Sequence, residues 1–381
     1  MWFDEWMRQL AKRLVGESPT DLKVGFLLEG MSGPPSGVWT RFVGLVRALS
    51  EARIEVHVLG IAGVHDEVLQ LPVTSAELMS SQKPFRRYFC RRKIIEKFAR
   101  EKGLHVVHLE APPFFAVPNV VTVATVHDLR HLYSESRVLL TGEALYQIFL
   151  LRFHLEKIPL ILSLSSWAKG EIHRHLGVPI QKIEVVAPVV QVPEHEGSIT
   201  QVERNQYVVS VGHIERRKNL GVIIAASGDP SWPQAVELLI AGADQGLLEE
   251  LATLNCSSHG KAVFLGPISE EEKWHLLGGA LAVLLPSVIE GFGIVGAEAP
   301  AAGTPVLMAR TSSLVELAAH PFAAIDPDRP KEWAKAVSVL AEDSRLREEI
   351  LFNQRQLSAN FSSENVVSLL LSRYRTLIDN C

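Results

Sequence analysis

The sequence predicts an α/β protein of two doubly wound domains, each a parallel sheet covered by helices, that face each other across a cleft. Short β-branched apolar runs alternate with longer amphipathic segments almost throughout, as expected for parallel strands buried on both faces. The alternation breaks once, at residues 187–198, where two prolines and polar residues indicate a linker. The length of 381 residues fits two or three domains of roughly 150 residues each.

Apolar runs bounded by polar residues mark the predicted strands. In the first half they are residues 24–28, 54–59, 120–126, 160–164 and 183–186. In the second half they are residues 207–211, 237–241, 262–265, 282–285 and 305–308. Helical periodicity occupies residues 39–51, 167–176, 270–277 and 330–340. A capping signal at residues 361–365 predicts a last helix that ends near Ile378.

These elements divide the chain into four parts. Residues 1–20 are predicted to form an amphipathic helix, which either anchors at an interface or docks on a protein surface. Residues 21–190 form the first domain, residues 191–205 the linker and residues 206–360 the second domain.

The composition excludes several classes of protein. Lys and Arg total 38 against 43 Asp and Glu, a net charge of −5, so the chain is not built as a whole around nucleic acid. Three cysteines fit neither a disulfide framework nor a thiolate metal site. No apolar run approaches the roughly 20 residues that span a bilayer, and the acidic start is unlike a signal peptide. A cytoplasmic protein is expected, peripheral to the membrane only through a surface patch.

Residues 83–102 are a candidate for that patch. They hold nine Lys or Arg residues against two Glu, a local net charge of +7, with apolar residues at helix-like spacing. This pattern is typical of a helix on an anionic membrane surface. The alternative, compatible with the first, is a helix that packs its apolar side on the sheet. The predicted membrane-facing residues are Arg86, Arg87, Arg91, Arg92, Lys93 and Lys97.

Residues 286–298 carry the strongest local signal for a ligand site. A strand, the turn Gly291-Phe292-Gly293 and a helix start follow one another, which leaves free amides and a helix dipole for a phosphate. Glu290 precedes the turn and Glu298 is expected about two helical turns in, so both can accept hydrogen bonds from hydroxyls beside a diphosphate. This predicts a nucleotide-sugar site; the alternative is a tight turn flanked by solvated glutamates.

Further residues follow other predicted strands and should reach the same cleft, because the carboxyl ends of parallel strands meet at one sheet edge. His213, Arg217 and Lys218 form a basic cluster that can neutralise phosphate. Gly37 closes a loop and permits close backbone approach, and His127 directly follows a strand. The alternatives are a solvated charged loop and a structural histidine.

Together these motifs resemble the retaining glycosyltransferases of family 4, which have the GT-B fold. The resemblance covers residues 22–378, and its core is Glu290 and Glu298 with seven residues between them. The matching pieces, in order, are residues 125–129, 176–179, 279–287, 290–298, 302–306, 311–316 and 325–327.

The resemblance implies that a sugar is transferred, with retention, from a nucleotide diphosphate sugar to a saccharide or lipid-linked acceptor in cell-surface polysaccharide or glycolipid synthesis. It implies no cofactor beyond the donor and no bound metal. The first domain would bind the acceptor, the second the donor, and residues 361–381 would cross back onto the first domain. The alternative is an inactive GT-B subunit that binds a sugar nucleotide and scaffolds a partner enzyme.

The resemblance also implies roles for single residues. Backbone amides of the turn would hold phosphate and sugar oxygens, Glu290 the donor sugar and Glu298 the ribose. His127, Lys218 and Glu290 would be catalytic, with Lys218 neutralising the departing diphosphate. His213 stands where the family usually has Arg, and Arg216 or Arg217 is expected to compensate. The implied donor residues are Gly37, His213, Arg217, Lys218, Glu290, Gly291, Phe292, Gly293, Ile294 and Glu298.

Overall fold

The structure is a computed structural model. It describes residues 22–29, 31, 36–61, 63–79, 84–112, 114–127, 129, 151–191 and 206–380, with the backbone alone for residues 79 and 84–90. The helix expected at residues 1–20 and nearly all of the linker lie outside the described residues.

The N-terminal domain contains a parallel seven-stranded sheet with the order β3-β2-β1-β4-β5-β6-β7. The order reverses between β1 and β4, and open α/β sheets bind ligands at the carboxyl ends of strands beside such a reversal. The strands are β1 (Lys23–Glu29), β2 (Glu55–Ile61), β3 (Ser75–Met79), β4 (Val106–Leu109), β5 (Val121–Thr125), β6 (Leu160–Ser163) and β7 (Ile183–Val185).

The C-terminal domain repeats this plan with a parallel six-stranded sheet, ordered β10-β9-β8-β11-β12-β13. Its reversal lies between β8 and β11, so the loops after these two strands are neighbours. The strands are β8 (Tyr207–Val211), β9 (Glu237–Ala241), β10 (Ala262–Gly266), β11 (Ala282–Leu285), β12 (Val306–Ala309) and β13 (Ala324–Ile325).

Helices cover the sheets, and the apolar side chains between the layers form the cores. The helices are α1 (Gly37–Glu51), α2 (Pro84–Lys102), α3 (Ser166–Leu176), α4 (Leu220–Ser227), α5 (Leu248–Ser257), α6 (Glu270–Gly279), α7 (Val295–Ala302), α8 (Leu314–Ala318), α9 (Pro330–Glu342), α10 (Ser344–Ser358) and α11 (Ser363–Asp379).

The C-terminal helix α11 returns to the N-terminal domain. Ser362 caps it by accepting a hydrogen bond from the amide of Asn365. Its buried residues Val366, Leu370 and Tyr374 join the core formed by α1 and the first sheet. The expected fold of two Rossmann-like domains with a helix crossing back is therefore confirmed.

Helix α2 packs its apolar side on the first sheet, since Ile95 and Phe98 are buried there. Arg92, Lys93 and Lys97 are exposed on its outer side, as expected of a basic surface. The side chains of Arg86 and Arg87 lie outside the described residues. Among the described residues no helix has the length and apolar character to cross a bilayer.

Arg91 does not face the solvent, which corrects its prediction as a membrane-surface residue. Its side chain is 2% exposed and forms an ion pair with Glu29 at the end of β1. It also donates hydrogen bonds to the carbonyl oxygens of Ala111 and Pro112, both at 3.1 Å. Arg91 thus holds α2 against the carboxyl ends of β1 and β4.

Candidate active site

The glycine turn follows β11 and leads into α7. Gly293 has a φ of +87°, and a Cβ there would lie 2.6 Å from Leu314, so only glycine fits. The Phe292 side chain is buried edge-on against Phe361, so only its backbone is available to a ligand. Within the described residues, the amides of Phe292, Gly293 and Ile294 donate no backbone hydrogen bond. They are therefore available as donors beside the start of α7.

Glu290 lies between two cations. Lys218 Nζ is 2.6 Å from Oε1 and Arg217 Nη1 is 2.8 Å from Oε2, while the Ser287 hydroxyl donates to Oε1 at 2.9 Å. Burial raises the pKa of Glu290, but the charges of Lys218 and Arg217 outweigh burial and lower this pKa to about 2. Glu290 is therefore ionised at neutral pH, and both cations are held in place beside the turn.

The backbone joins the basic loop to the glycine turn. The Val288 amide donates to the Arg217 carbonyl oxygen at 2.9 Å. Gly212 has a φ of +139°, and a Cβ there would lie 3.2 Å from Lys218 Nζ. This glycine therefore leaves room for the lysine side chain to pass close to the backbone of the loop. His213 follows directly and is partly buried in the same loop. The structure thus brings the two predicted motifs of the C-terminal domain together.

Glu298 lies in the first turn of α7, earlier in the helix than expected, and its side chain is almost completely buried. Its Oε1 accepts a hydrogen bond from Lys273 Nζ at 2.9 Å, and Lys273 also pairs with Glu270 at 2.7 Å. Burial raises the pKa of Glu298, and Lys273 only partly opposes this effect. Within the described residues the other oxygen, Oε2, is buried without a partner. A ligand hydroxyl would satisfy that oxygen.

His127 follows β5 and is held by Glu110, a carboxylate that follows β4. Its Nε2 is 3.1 Å from both the Glu110 carboxylate and the Glu110 carbonyl oxygen. Glu110 is fully buried and pairs with Arg41 of α1 at 2.5 Å. Burial raises the pKa of Glu110, but Arg41 and its other partners lower it well below its usual range. Since Nε2 faces these acceptors, Nδ1, buried without a partner among the described residues, is left to accept a hydrogen bond.

His108 extends this network to the C-terminal helix. Its Nε2 is 2.7 Å from Thr125 Oγ1, and its Nδ1 is 3.2 Å from the hydroxyl of Tyr374 in α11. Burial lowers the pKa of His108 to about 4, against the opposing charge of Glu110. His127 could be identified from its place directly after a predicted strand. Glu110 and His108 could not, because the short strand β4, which contains His108 and precedes Glu110, was not predicted.

The two domains meet beside the glycine turn. Gly37 is the first residue of α1, and a Cβ there would lie 3.9 Å from Ile294 Cγ2. The start of α1 therefore faces the start of α7 across the cleft. In the described part of the chain, no group of three or more His, Cys, Asp or Glu residues is placed to hold a metal ion.

Two family models match consecutive parts of the chain. The model described as Glycosyltransferase Family 4 matches residues 35–192, and that described as Glycosyl transferases group 1 matches residues 192–356. The first therefore covers most of the N-terminal domain, and the second covers the C-terminal domain with its turn, basic loop and both glutamates.

Named relatives agree with these matches. The O-antigen chain mannosyltransferase RfbU of Salmonella typhimurium is 25% identical over 81% of this chain and 87% of its own length. A D-inositol 3-phosphate glycosyltransferase of Salinispora arenicola is 30% identical over 45% of this chain and 41% of its own length. The structure of Anabaena Alr3699/HepE in complex with UDP and glucose has a TM-score of 0.74 at 16% identity, covering 93% of this chain and 100% of that one. At that identity the likeness concerns the fold, which is GT-B.

Proposed function

We propose that this chain, which belongs to the GT-B glycosyltransferases of the family 4 type, transfers a hexosyl group from a nucleotide diphosphate sugar with retention at the anomeric carbon. The observation that carries the proposal is the pairing of Lys218 and Arg217 with Glu290 directly beside free turn amides. In such a transfer negative charge grows on the departing diphosphate. Cations and amides that are fixed beforehand stabilise this charge without reorganising.

Each site residue has a part in this proposal. Lys218 and Arg217 supply the positive charge at the diphosphate, so the reaction needs neither a divalent ion nor a further cofactor. The amides of the turn bind phosphate and sugar oxygens, and the unpaired Oε2 of Glu298 accepts a ribose hydroxyl. His127 stands at the donor sugar with Nδ1 as its acceptor, and Glu290 binds a sugar hydroxyl or holds the two cations.

The proposed acceptor is a saccharide or lipid-linked saccharide in cell-surface polysaccharide or glycolipid synthesis. The name of the RfbU relative, an O-antigen chain mannosyltransferase, supports this choice. The exposed basic side of α2 supports a peripheral place on the cytoplasmic face of an anionic membrane, since each basic residue near such lipid contributes about 1 kcal/mol.

The test is a thermal-shift panel of UDP- and GDP-sugars, followed by donor hydrolysis and transfer assays with and without EDTA. A true donor at 100 times its Kd should add about 2.7 kcal/mol of stability, and NMR of the product should show the anomeric configuration of the donor. Lys218→Ala should lower kcat/KM by roughly 100- to 1000-fold, whereas Lys331→Ala, at an exposed lysine of α9, should not change it.

Three outcomes would contradict parts of the proposal. Unchanged donor affinity in both Lys218→Ala and Glu298→Ala would refute the site. An inverted product would refute retention. Donor binding with neither hydrolysis nor transfer to any acceptor would favour the inactive scaffolding subunit.

A further inference from the structure

Helix α3 of the N-terminal domain begins against the glycine turn of the C-terminal domain. Ser165 caps this helix, because its Oγ accepts a hydrogen bond from the Ala168 amide at 3.1 Å. The same hydroxyl donates its proton to the carbonyl oxygen of Gly291 at 2.7 Å. Ser165 is 3% exposed, so this contact between the domains is shielded from water.

Glu316 of α8, also in the C-terminal domain, binds the same helix start. The amides of Ser166 and Trp167 donate to its two carboxylate oxygens at 2.9 and 2.6 Å. A carboxylate at the first amides of a helix is stabilised by their partial positive charge. The C-terminal domain therefore accepts hydrogen bonds from α3 at Glu316 and from its cap at Gly291, which fixes α3 relative to the turn.

The Gly291 carbonyl belongs to the same peptide unit as the Phe292 amide. That unit is planar and trans, so its C=O and N–H groups point in opposite directions. A glycine at position 291 would otherwise let the unit rotate at little cost. The hydrogen bond from Ser165 holds the carbonyl towards α3 and therefore fixes the N–H of Phe292 pointing away from α3.

We propose that Ser165 is a positioning residue for the donor: from the N-terminal domain it sets the direction of a donor-binding amide in the C-terminal domain. Glu316 assists by holding the helix that carries Ser165. The inference rests on the proposed function, in which the Phe292 amide contacts the donor. It means that the amide is correctly directed only while the two domains are docked, so donor affinity depends on their closure.

Substitutions at Ser165 separate its contact with the turn from its role as a helix cap. Ser165→Gly keeps most of the capping stability, because glycine is accepted at helix N-caps, but it has no hydroxyl to donate to the Gly291 carbonyl, whereas Ser165→Thr keeps both bonds. Ser362→Gly is the matched control, because Ser362 caps α11 through the Asn365 amide and takes no part in the turn. The measurements are calorimetric affinity for UDP, kcat and KM for hydrolysis of the best UDP- or GDP-sugar, and the midpoint of thermal unfolding.

We expect Ser165→Gly to weaken UDP binding about tenfold, the usual effect of losing one hydrogen bond to a charged group. KM for the donor should rise with it, while the unfolding midpoint should change no more than in Ser362→Gly. Ser165→Thr should bind like the wild type, and Ser362→Gly should leave binding unchanged. Wild-type affinity in Ser165→Gly would overturn the inference, as would an equal loss in Ser165→Thr.

Failure of the proposed function gives a different result. If the wild-type protein binds no UDP, GDP or sugar nucleotide, the proposed function fails, and amide exchange of Phe292 then tests the inference. Exchange that is faster in Ser165→Gly than in Ser362→Gly supports control of this peptide by Ser165; equal exchange in the two variants overturns it.

Discussion

His108 should control how stability responds to mild acid. Burial lowers the pKa of His108 from an ordinary value of 6.5 to about 4. The side chain contacts Glu110 and Tyr374, and the charge of Arg41 also lies nearby. Below pH 6.5 His108 therefore becomes protonated in the unfolded chain, whereas in the folded protein it stays neutral until about pH 4. Stability should fall over that window, by about 2 kcal/mol between pH 7 and pH 5.

Urea unfolding at the two pH values measures this effect, and His108→Gln is the matched variant, because glutamine hydrogen-bonds without titrating. The variant should lose about 2 kcal/mol less than the wild type between pH 7 and pH 5. Equal losses in the two proteins would show that His108 is not the group responsible.

Breaking the Lys273–Glu298 pair should lower the stability of the protein strongly, and a second substitution should restore most of it. Lys273→Met leaves the Glu298 carboxylate buried without its cation, which should cost about 4 kcal/mol. Adding Glu298→Gln removes the stranded charge, so the double variant should recover most of the loss. Urea unfolding measures both, and Lys335→Met, at an exposed lysine of α9, is the control. A double variant no more stable than Lys273→Met would contradict the prediction.

The residue pattern predicted the turn, the basic loop and both glutamates, because each lies at a strand end or helix start that local sequence specifies. It did not predict Lys273, Ser165 or Arg41. Lys273 resembles any polar residue of an amphipathic helix, and its partner Glu298 comes from a different helix. Local periodicity predicts which face of a helix a side chain lies on, but it does not predict which other helix or strand packs against that face.

Helix α2 carries the prediction of membrane contact. Replacing Lys93 and Lys97, both exposed, with glutamate reverses the charge of its outer side and should abolish most binding to anionic vesicles. Flotation with phosphatidylserine-containing liposomes measures this, and wild-type binding should weaken as salt rises, because salt screens exposed charges. The paired control is Lys331→Glu with Lys335→Glu on α9. Binding that persists after reversal, or ignores salt, would refute the prediction.

In the same helix, the pattern of basic residues led to one wrong prediction. Arg91 belongs to the basic run of α2, yet it pairs with Glu29 and two backbone carbonyls at the sheet edge. All ten predicted strands are present, whereas β3, β4 and β13 were missed. Strand β4 has only four residues and includes His108, and β13 has two residues. A segment of two residues has too little periodicity to distinguish a strand from a loop.

The division into two domains could be predicted because strand–helix alternation and its single break are properties of the whole chain. The way the domains dock could not be predicted in the same way. Ser165 and Gly291 are 126 positions apart, as Tyr374 and His108 are 266 apart, and no periodic signal joins such residues. The family resemblance, rather than periodicity, supplied the crossing of α11.

That crossing makes the N-terminal domain depend on the last residues of the chain. Removing residues 363–381 would uncover the core where Val366, Val367, Leu370 and Tyr374 are buried. At about 1.5–3 kcal/mol for each buried side chain, the loss is roughly 6–12 kcal/mol, comparable with the whole stability of a domain. We expect calorimetry of the shortened chain to show that the N-terminal domain has lost its transition. The C-terminal domain, whose core among the described residues includes no part of α11, should still unfold cooperatively. Two intact transitions would refute this dependence.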